Sequence, residues 1–247
     1  MTKEKYMLET KSLLCTNGTH SGSVTCGIDN KELKELYISF FKYMSNKGWK
    51  EYLDNTYLTK IINKFSKKCY KLAKEIQDTE EDSHKIVSKF KGNIFEVITE
   101  SILRNVQTLP FAMKFLSWEG DSKQDRGVDG YCHALNNKNF LITVQSKFRT
   151  EETLGWQDGI QKAYVEVNEK MKELRKRGII SNDDKALWED SIKPVVLFTT
   201  TDAHWFLKEA GEKWLNVVNT QDLFEMIGMF DGVGNKVFWD KTYEDVK

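Results

Sequence analysis

Residues 125–148 read DRGVDGYCHALNNKNFLITVQSKF, and this stretch contains two strand-like runs on either side of a polar turn. The runs cover residues 128–135 and 140–148, and the sequence NNKN at 136–139 separates them. Asparagine is frequent in tight turns because it tolerates the left-handed backbone conformation that such turns require. We therefore expect the two runs to pair as an antiparallel hairpin.

The expected hairpin brings three polar side chains together. A turn centred near Asn137 places Asp129 about opposite Gln145. Successive side chains on a strand point to opposite faces, so Gln145 and Lys147 share a face while Ser146 points to the other. An acid, an amide and an amine then lie on one patch. Taken singly, Asp129 could be a turn former at the start of a strand, and Gln145 and Lys147 could be ordinary surface residues.

This combination of groups suits the hydrolysis of phosphodiesters. A divalent cation held by oxygen ligands polarises the phosphate and lowers the pKa of a bound water. The Asp129 carboxylate and the Gln145 amide oxygen are candidate ligands. Lys147 is a candidate to position the attacking water and to stabilise the negative charge that develops.

The motifs resemble the P-D…(D/E)-x-K restriction-endonuclease-like superfamily, and within it the Mrr-like branch, in which glutamine replaces the second acid. The resembling segments are GNIFE at 92–96, DRGVDG at 125–130 and VQSK at 144–147. The run VVLFTTT at 195–201 is similar to a later strand of that branch. The resemblance covers roughly residues 90–230 and leaves the first ninety residues unexplained.

The resemblance implies an endonuclease that acts on DNA with Mg²⁺, for which Mn²⁺ can substitute. It makes Asp129 the central metal ligand, Gln145 the substituted second ligand and Lys147 the catalytic lysine. Glu96 matches the acid on the preceding helix that lies near the metal, and Glu100, one turn later, is a reserve candidate. The chain departs from the parent pattern in lacking a proline before Asp129 and in carrying Gln145, which removes one negative charge, so metal affinity should depend more on Glu96.

The periodicity of the apolar residues predicts how the chain is organised. We expect helices near residues 33–44 and 58–74, then one or two helices up to Asn105 with Gly92 as a joint, and strands alternating with helices beyond. This order predicts an α/β fold: a restriction-endonuclease-like core, with a central mixed sheet flanked by helices, preceded by an N-terminal helical extension. The predicted segments are a flexible N-terminal segment at 1–28, a helical region that is a candidate DNA-binding lobe at 29–84, and the nuclease domain at 85–247.

The second predicted helix has one apolar side and one basic side. At about 100° per residue its lysines fall within an arc of about 120°, and no acidic residue interrupts them. Such a row is either a solvated helix face or a surface that follows nucleic-acid phosphates. The lysines are Lys60, Lys64, Lys67, Lys68, Lys71 and Lys74.

The overall charge restricts where nucleic acid can bind. The 37 basic and 37 acidic residues cancel, so DNA binding must come from local patches rather than from a general positive field. Arg126 and Arg149 flank the expected site and could hold phosphates, although solvated arginines at its rim would have the same pattern.

Other features restrict location and assembly. No run approaches the roughly 18 apolar residues of a membrane span, so we expect no membrane partner. The four cysteines have irregular spacing, which is typical of reduced thiols and favours a cytoplasmic protein. A single site per chain cuts both strands of a duplex through a dimer or through two binding events, which is compatible with a homodimer.

Two other hypotheses stay open at this point. The chain could be a catalytically weak or inactive nuclease-fold module that binds nucleic acid or a partner protein, because Gln145 weakens the metal site. It could also be a structure-specific or RNA-directed nuclease, which keeps the site but changes the substrate.

Overall fold

A computed structural model describes five helices, seven strands and the segments next to them. The described residues are 30–47, 57–105, 113–118, 129–134, 141–150, 153–154, 169, 172–173, 175–178, 195–203, 215–228 and 235–247. The predicted N-terminal segment at 1–28 and the predicted turn at 136–139 lie outside these residues.

The helices form where an apolar residue recurs every three or four positions and a polar side chain can cap the first turn. The helices are α1 (Lys31–Asn46), α2 (Tyr57–Ile76), α3 (Glu80–Asn105), α4 (Thr220–Gly228) and α5 (Asn235–Val246). The Asn30 side chain accepts hydrogen bonds from two backbone amides in the first turn of α1, and Thr79 Oγ1 accepts one from the Asp82 amide at the start of α3. Each cap satisfies donors that the helix itself leaves unpaired.

Helix α3 is one continuous helix rather than two. It runs through Gly92, so of the two expected arrangements, one helix or two helices joined at that residue, the structure has the first. Glycine weakens a helix interior without necessarily breaking it, because its cost is only about 1 kcal/mol relative to alanine. Helix α3 packs mainly against α2 and also contacts α5, which stabilises it as part of the helical unit.

The five helices pack as one unit whose core is rich in aromatic side chains. Tyr37 of α1 contacts Phe90 of α3 edge-on, and Phe40 of α1 contacts Phe65 of α2 in the same way. Edge-to-face contacts of this kind suit the charge distribution of aromatic rings. Two polar contacts bind the C-terminal helix α5 to the N-terminal ones: Ser45 with Asp240, and Ser101 with Thr242, each 2.6 Å between oxygens.

The strands form a separate unit around a five-stranded mixed sheet. The strands are β1 (Met113–Trp118), β2 (Gly130–Ala134), β3 (Leu141–Lys147), β4 (Thr153–Leu154), β5 (Val195–Thr199), β6 (Asp202–Ala203) and β7 (Leu215–Val218). The order across the sheet is β1-β2-β3-β5-β7, with antiparallel pairing from β1 to β3 and parallel pairing from β3 to β7. Strands β4 and β6 pair as a small parallel sheet of their own.

The burial of the strands agrees with their pairing. All of β5 is buried, as expected of a parallel strand that lies between two neighbours. Residues 172–173 and 175–176 are helical, and Gly178 after them has a φ of 68°, the left-handed conformation that commonly ends a helix. The expectation of a mixed α/β chain with a mixed sheet is confirmed, while the restriction-endonuclease-like core stays a prediction.

The described residues fall into two compact units. The described residues of 30–105 and 220–247 form the helical unit, and those of 108–219 form the sheet unit. The predicted division between residues 84 and 85 falls inside α3, because the apolar side of that helix packs continuously. Helix α5 belongs with α1 rather than with the strands that precede it. Within the described residues, no helix is both long and apolar enough to cross a membrane.

Candidate active site

The register of the β2–β3 hairpin is the one that the turn position predicts. Gly130 pairs with Val144 and Tyr131 pairs with Thr143. The paired register ends at Gly130, one residue after Asp129. The Asp129 amide donates a hydrogen bond to the Val144 carbonyl at 2.8 Å, so Asp129 lies beside the end of β3 that carries Gln145.

Asp129 is held by the backbone of the opposite strand. Its side chain is buried, and Oδ2 accepts a hydrogen bond of 2.5 Å from the Ser146 amide. Hydrogen bonds from backbone amides to a carboxylate are stronger than neutral ones because the acceptor carries a charge. The bond therefore fixes the carboxylate against β3, close to Gln145.

Gln145 carries a buried polar atom without a described partner, as do Trp118 and Ser146 in the same sheet. Its side chain is 2% exposed, and its amide oxygen Oε1 is buried without a hydrogen-bond partner among the described residues. Leaving a buried acceptor unsatisfied costs about 1–3 kcal/mol. A group that keeps this cost in a folded protein is typical of a site that binds something else.

Lys147 completes the set on the same face. It follows Gln145 by two residues, so the two side chains point the same way. Lys147 is half-buried, and it pairs in register with Thr199 of β5. The structure thus brings Asp129, Gln145 and Lys147 to one end of the hairpin.

Sequence reasoning missed the threonines at the end of β5. Thr199 is fully buried beside Lys147 in the pairing of β3 with β5. Thr200 Oγ1 accepts a hydrogen bond from the Arg149 amide at 2.9 Å and donates one to the Arg149 carbonyl at 2.7 Å. This pair of hydrogen bonds fixes the backbone just after Lys147. The sequence feature that indicates this contact is the run of hydroxyl residues at the carboxyl end of a buried strand, where parallel sheets commonly bind ligands.

The other predicted site residues stand differently. Arg149 is half-buried at the end of β3, and its backbone is held by Thr200, while Arg126 lies outside the described residues. Glu96 is half-buried on α3 in the helical unit, and its participation in a site with Asp129 stays a prediction. Glu100 is fully buried and forms an ion pair of 2.5 Å with Arg104.

The predicted lysine row lies on an exposed helix face. All six lysines belong to α2, and all six are exposed, while the opposite side of α2 is buried. The prediction that they share one side of a helix is confirmed. Their role in binding stays a prediction.

The residues present fit a hard divalent cation through oxygen atoms. The described residues contain no group of three or more His, Cys, Asp or Glu side chains suited to a metal. The predicted set differs from such a group because one of its ligands is an amide oxygen, that of Gln145. Carboxylate, amide and water oxygens are the ligands that Mg²⁺ prefers, and the buried Gln145 oxygen without a partner is compatible with that use.

No protein-family model, curated protein or solved structure matches this chain. Its function must therefore be inferred from the geometry of the hairpin and the chemistry of its side chains.

Proposed function

We propose that the chain is a metal-dependent endonuclease that hydrolyses DNA phosphodiester bonds, with a restriction-endonuclease-like core of the Mrr-like kind. One observation carries the proposal. The Gln145 amide oxygen is buried without a partner among the described residues, Asp129 is hydrogen-bonded to the neighbouring backbone of Val144 and Ser146, and Lys147 follows Gln145 by two residues on the same strand.

Each side chain has a distinct role in this proposal. Asp129 and Gln145 hold Mg²⁺, or Mn²⁺ in its place, and Glu96 is the proposed third ligand. When bound, the ion polarises the phosphate and lowers the pKa of a coordinated water. The Lys147 ammonium contributes a positive charge beside the phosphate. Lys147 is half-buried, and a charge that is partly shielded from water stabilises developing negative charge more than a charge in open solvent does.

The backbone around the site supports fixed positions for these groups. The backbone amide of Ser146 in β3 donates a hydrogen bond to the Asp129 carboxylate. The Thr200 hydroxyl fixes the backbone just after Lys147. Catalytic groups act best when their surroundings fix them before the substrate arrives. Both contacts come from regular strands or their immediate ends, which are rigid elements.

The test is cleavage of supercoiled plasmid DNA by the full chain with Mg²⁺ or Mn²⁺. Asp129→Asn is the informative acid variant, because the amide oxygen can still accept the Ser146 hydrogen bond while the charge is lost. Lys147→Met keeps the apolar stem and removes the ammonium. Each change should lower the cleavage rate by about 100-fold or more.

Matched controls come from the exposed pair Lys31 and Glu35 on α1, whose charged atoms are 3.8 Å apart. Lys31→Met and Glu35→Gln remove the same kinds of charge from the other unit and should leave the rate unchanged. Cleavage that persists in excess chelator, or that is undiminished in the Asp129→Asn and Lys147→Met proteins, would refute the proposal. Cleavage of RNA but not of DNA would refute the choice of substrate. Absence of metal binding by calorimetry would favour an inactive nucleic-acid-binding module.

A further inference from the structure

Helix α2 carries a row of positive charges, most of which have no acidic partner among the described residues. Lys74 lies 3.8 Å from Glu80, but the other five make no ion pair with any carboxylate among the described residues. We call these five residues the α2 lysine face: Lys60, Lys64, Lys67, Lys68 and Lys71.

Several exposed lysines on the neighbouring helices do have acidic partners. Lys31 pairs with Glu35, Lys85 with Glu81, and Lys236 with Asp240, each four residues apart on one helix. In α2 three of these spacings join two lysines, Lys60–Lys64, Lys64–Lys68 and Lys67–Lys71, and of the five only Lys71 has an acid, Glu75, four residues after it. Like charges at this spacing destabilise a helix. The lysine face therefore has an intramolecular cost that an anionic partner would remove.

The dimensions of the face suit a nucleic-acid backbone. At 1.5 Å per residue, Lys60 and Lys71 are about 17 Å apart along the helix axis. One strand of duplex DNA has a phosphate about every 3.4 Å along the duplex axis, so the face spans about five phosphates of a strand. Five lysines over this distance approximately match the density of the negative charge.

The aromatic side chains beside the face favour a duplex over a single strand. Proteins that bind single strands stack the bases on exposed aromatic rings. Here the Lys64 ammonium lies 5.2 Å from the centre of the Tyr43 ring, and that of Lys68 lies 5.4 Å from the centre of the Phe65 ring, which is itself buried. These rings hold lysines rather than offering open surfaces for bases.

We infer that the α2 lysine face binds the phosphate backbone of duplex DNA without reading its sequence. The face consists of lysines alone, whereas base recognition depends mainly on the planar, paired donors and acceptors of Arg, Asn and Gln. This binding does not depend on the proposed cleavage, because it uses the helical unit and needs no metal. It gives a protein of zero net charge a local means of holding DNA.

The test is the salt dependence of binding, measured by fluorescence anisotropy with the full chain in excess chelator. Two duplexes of unrelated sequence serve as probes. With five phosphates neutralised, log K should fall with log [salt] at a slope of about −4.5, and the two duplexes should bind equally. The triple variant Lys60→Gln, Lys67→Gln, Lys71→Gln should reduce the slope to about −1.8.

The three substituted lysines are chosen so that only charge changes. They lie side by side along one edge of the face, they are exposed, and they lie on no described aromatic ring. Glutamine and lysine have nearly equal helix propensities, so α2 should keep its stability. The matched control is Lys31→Gln, Lys85→Gln, Lys236→Gln, which removes the same charge from ion-paired positions and should keep the original slope.

Four results would overturn the inference. They are no binding of either duplex at low salt, an unchanged slope in the triple variant, an equal loss of slope in the control, and tighter binding of a single-stranded oligonucleotide. Binding to vesicles of phosphatidylcholine and phosphatidylserine without binding to DNA would also refute it, in favour of a membrane surface. A protein that binds duplex DNA as expected but cuts nothing would refute the proposed nuclease and leave this inference intact.

Discussion

Replacement of Gln145 by methionine should stabilise the metal-free protein and abolish its stabilisation by metal. The Gln145 side chain is 2% exposed and its amide oxygen has no described hydrogen-bond partner. Methionine has a similar length, is unbranched, and adapts to irregular surroundings. The change removes the unsatisfied acceptor while keeping most of the packing. If Gln145 served only to stabilise the fold, its replacement would instead lower the free energy of unfolding.

The magnitude follows from the cost of the buried acceptor. That cost is about 1–3 kcal/mol, and imperfect packing of the new side chain offsets part of it. The free energy of unfolding in chelator should therefore rise by about 1 kcal/mol. In the original protein, free Mg²⁺ or Mn²⁺ at about ten times its dissociation constant should add about 1.4 kcal/mol. In the Gln145→Met protein the metal should add much less.

The assay is urea unfolding followed by circular dichroism, for both proteins, in chelator and over a series of metal concentrations. Gln77→Met is the control, because Gln77 is a half-buried glutamine just after the end of α2. Its effect should stay within about 0.5 kcal/mol, with the metal response unchanged. If Gln145→Met instead lowers stability in chelator and keeps the full metal response, Gln145 is a structural residue and the reasoning about the site fails.

Two further predictions concern the helical unit. Gly92→Ala should raise the free energy of unfolding by about 1 kcal/mol in urea, because a Cβ at this position would meet no described atom within 4 Å; a loss of stability would show that the position needs glycine. Burial raises the pKa of Asp245, against the lowering effect of Lys241 and Arg104. The stability linked to this carboxyl group is thus fully present below its unfolded-state pKa and is lost as pH rises through its folded-state pKa. Asp245→Asn should therefore gain stability at neutral pH but not in acid, and an equal effect of the substitution at both pH values in urea would contradict this.

Local patterns in the sequence predicted the hairpin and the helices well. The alternation of side chains and the NNKN turn together fix which residues of a hairpin oppose each other, and so the pairing of Gly130 with Val144 followed. The lysine row followed in the same way, because residues three and four apart share a helix face. Each of these features depends only on residues of a single helix or a single hairpin.

Irregular elements were missed because their patterns break. Strand β1 has a register shift between Phe115 and Ser117, which interrupts the alternation that identifies a strand. Helix α5 has a polar residue, Thr242, at a fully buried position. Its hydroxyl is satisfied by the Phe238 carbonyl and by Ser101. A pattern of apolar residues alone does not show that such a position belongs to the core.

Contacts between distant parts of the chain were beyond local patterns. The parallel pairing of β3 with β5 joins residues about fifty positions apart, and the bond between Thr200 and the Arg149 backbone depends on that pairing. The division of the chain into units depends on the packing of α5 against α1, which are separated by almost the whole sequence. Hydrophobic periodicity gives the face that a helix buries but not the element that covers it.

The two features that point to function share a physical property, since each is unfavourable for the folded chain by itself. The Gln145 oxygen is buried without a partner among the described residues, and the α2 lysine face places like charges beside each other. Natural sequences are mostly consistent from local propensity to packing, and their exceptions concentrate at functional sites. A cation beside Gln145 and a phosphate backbone along α2 would each remove one of these costs. A nuclease needs both partners, one for chemistry and one for holding its substrate, and that is why the two exceptions favour the same proposal.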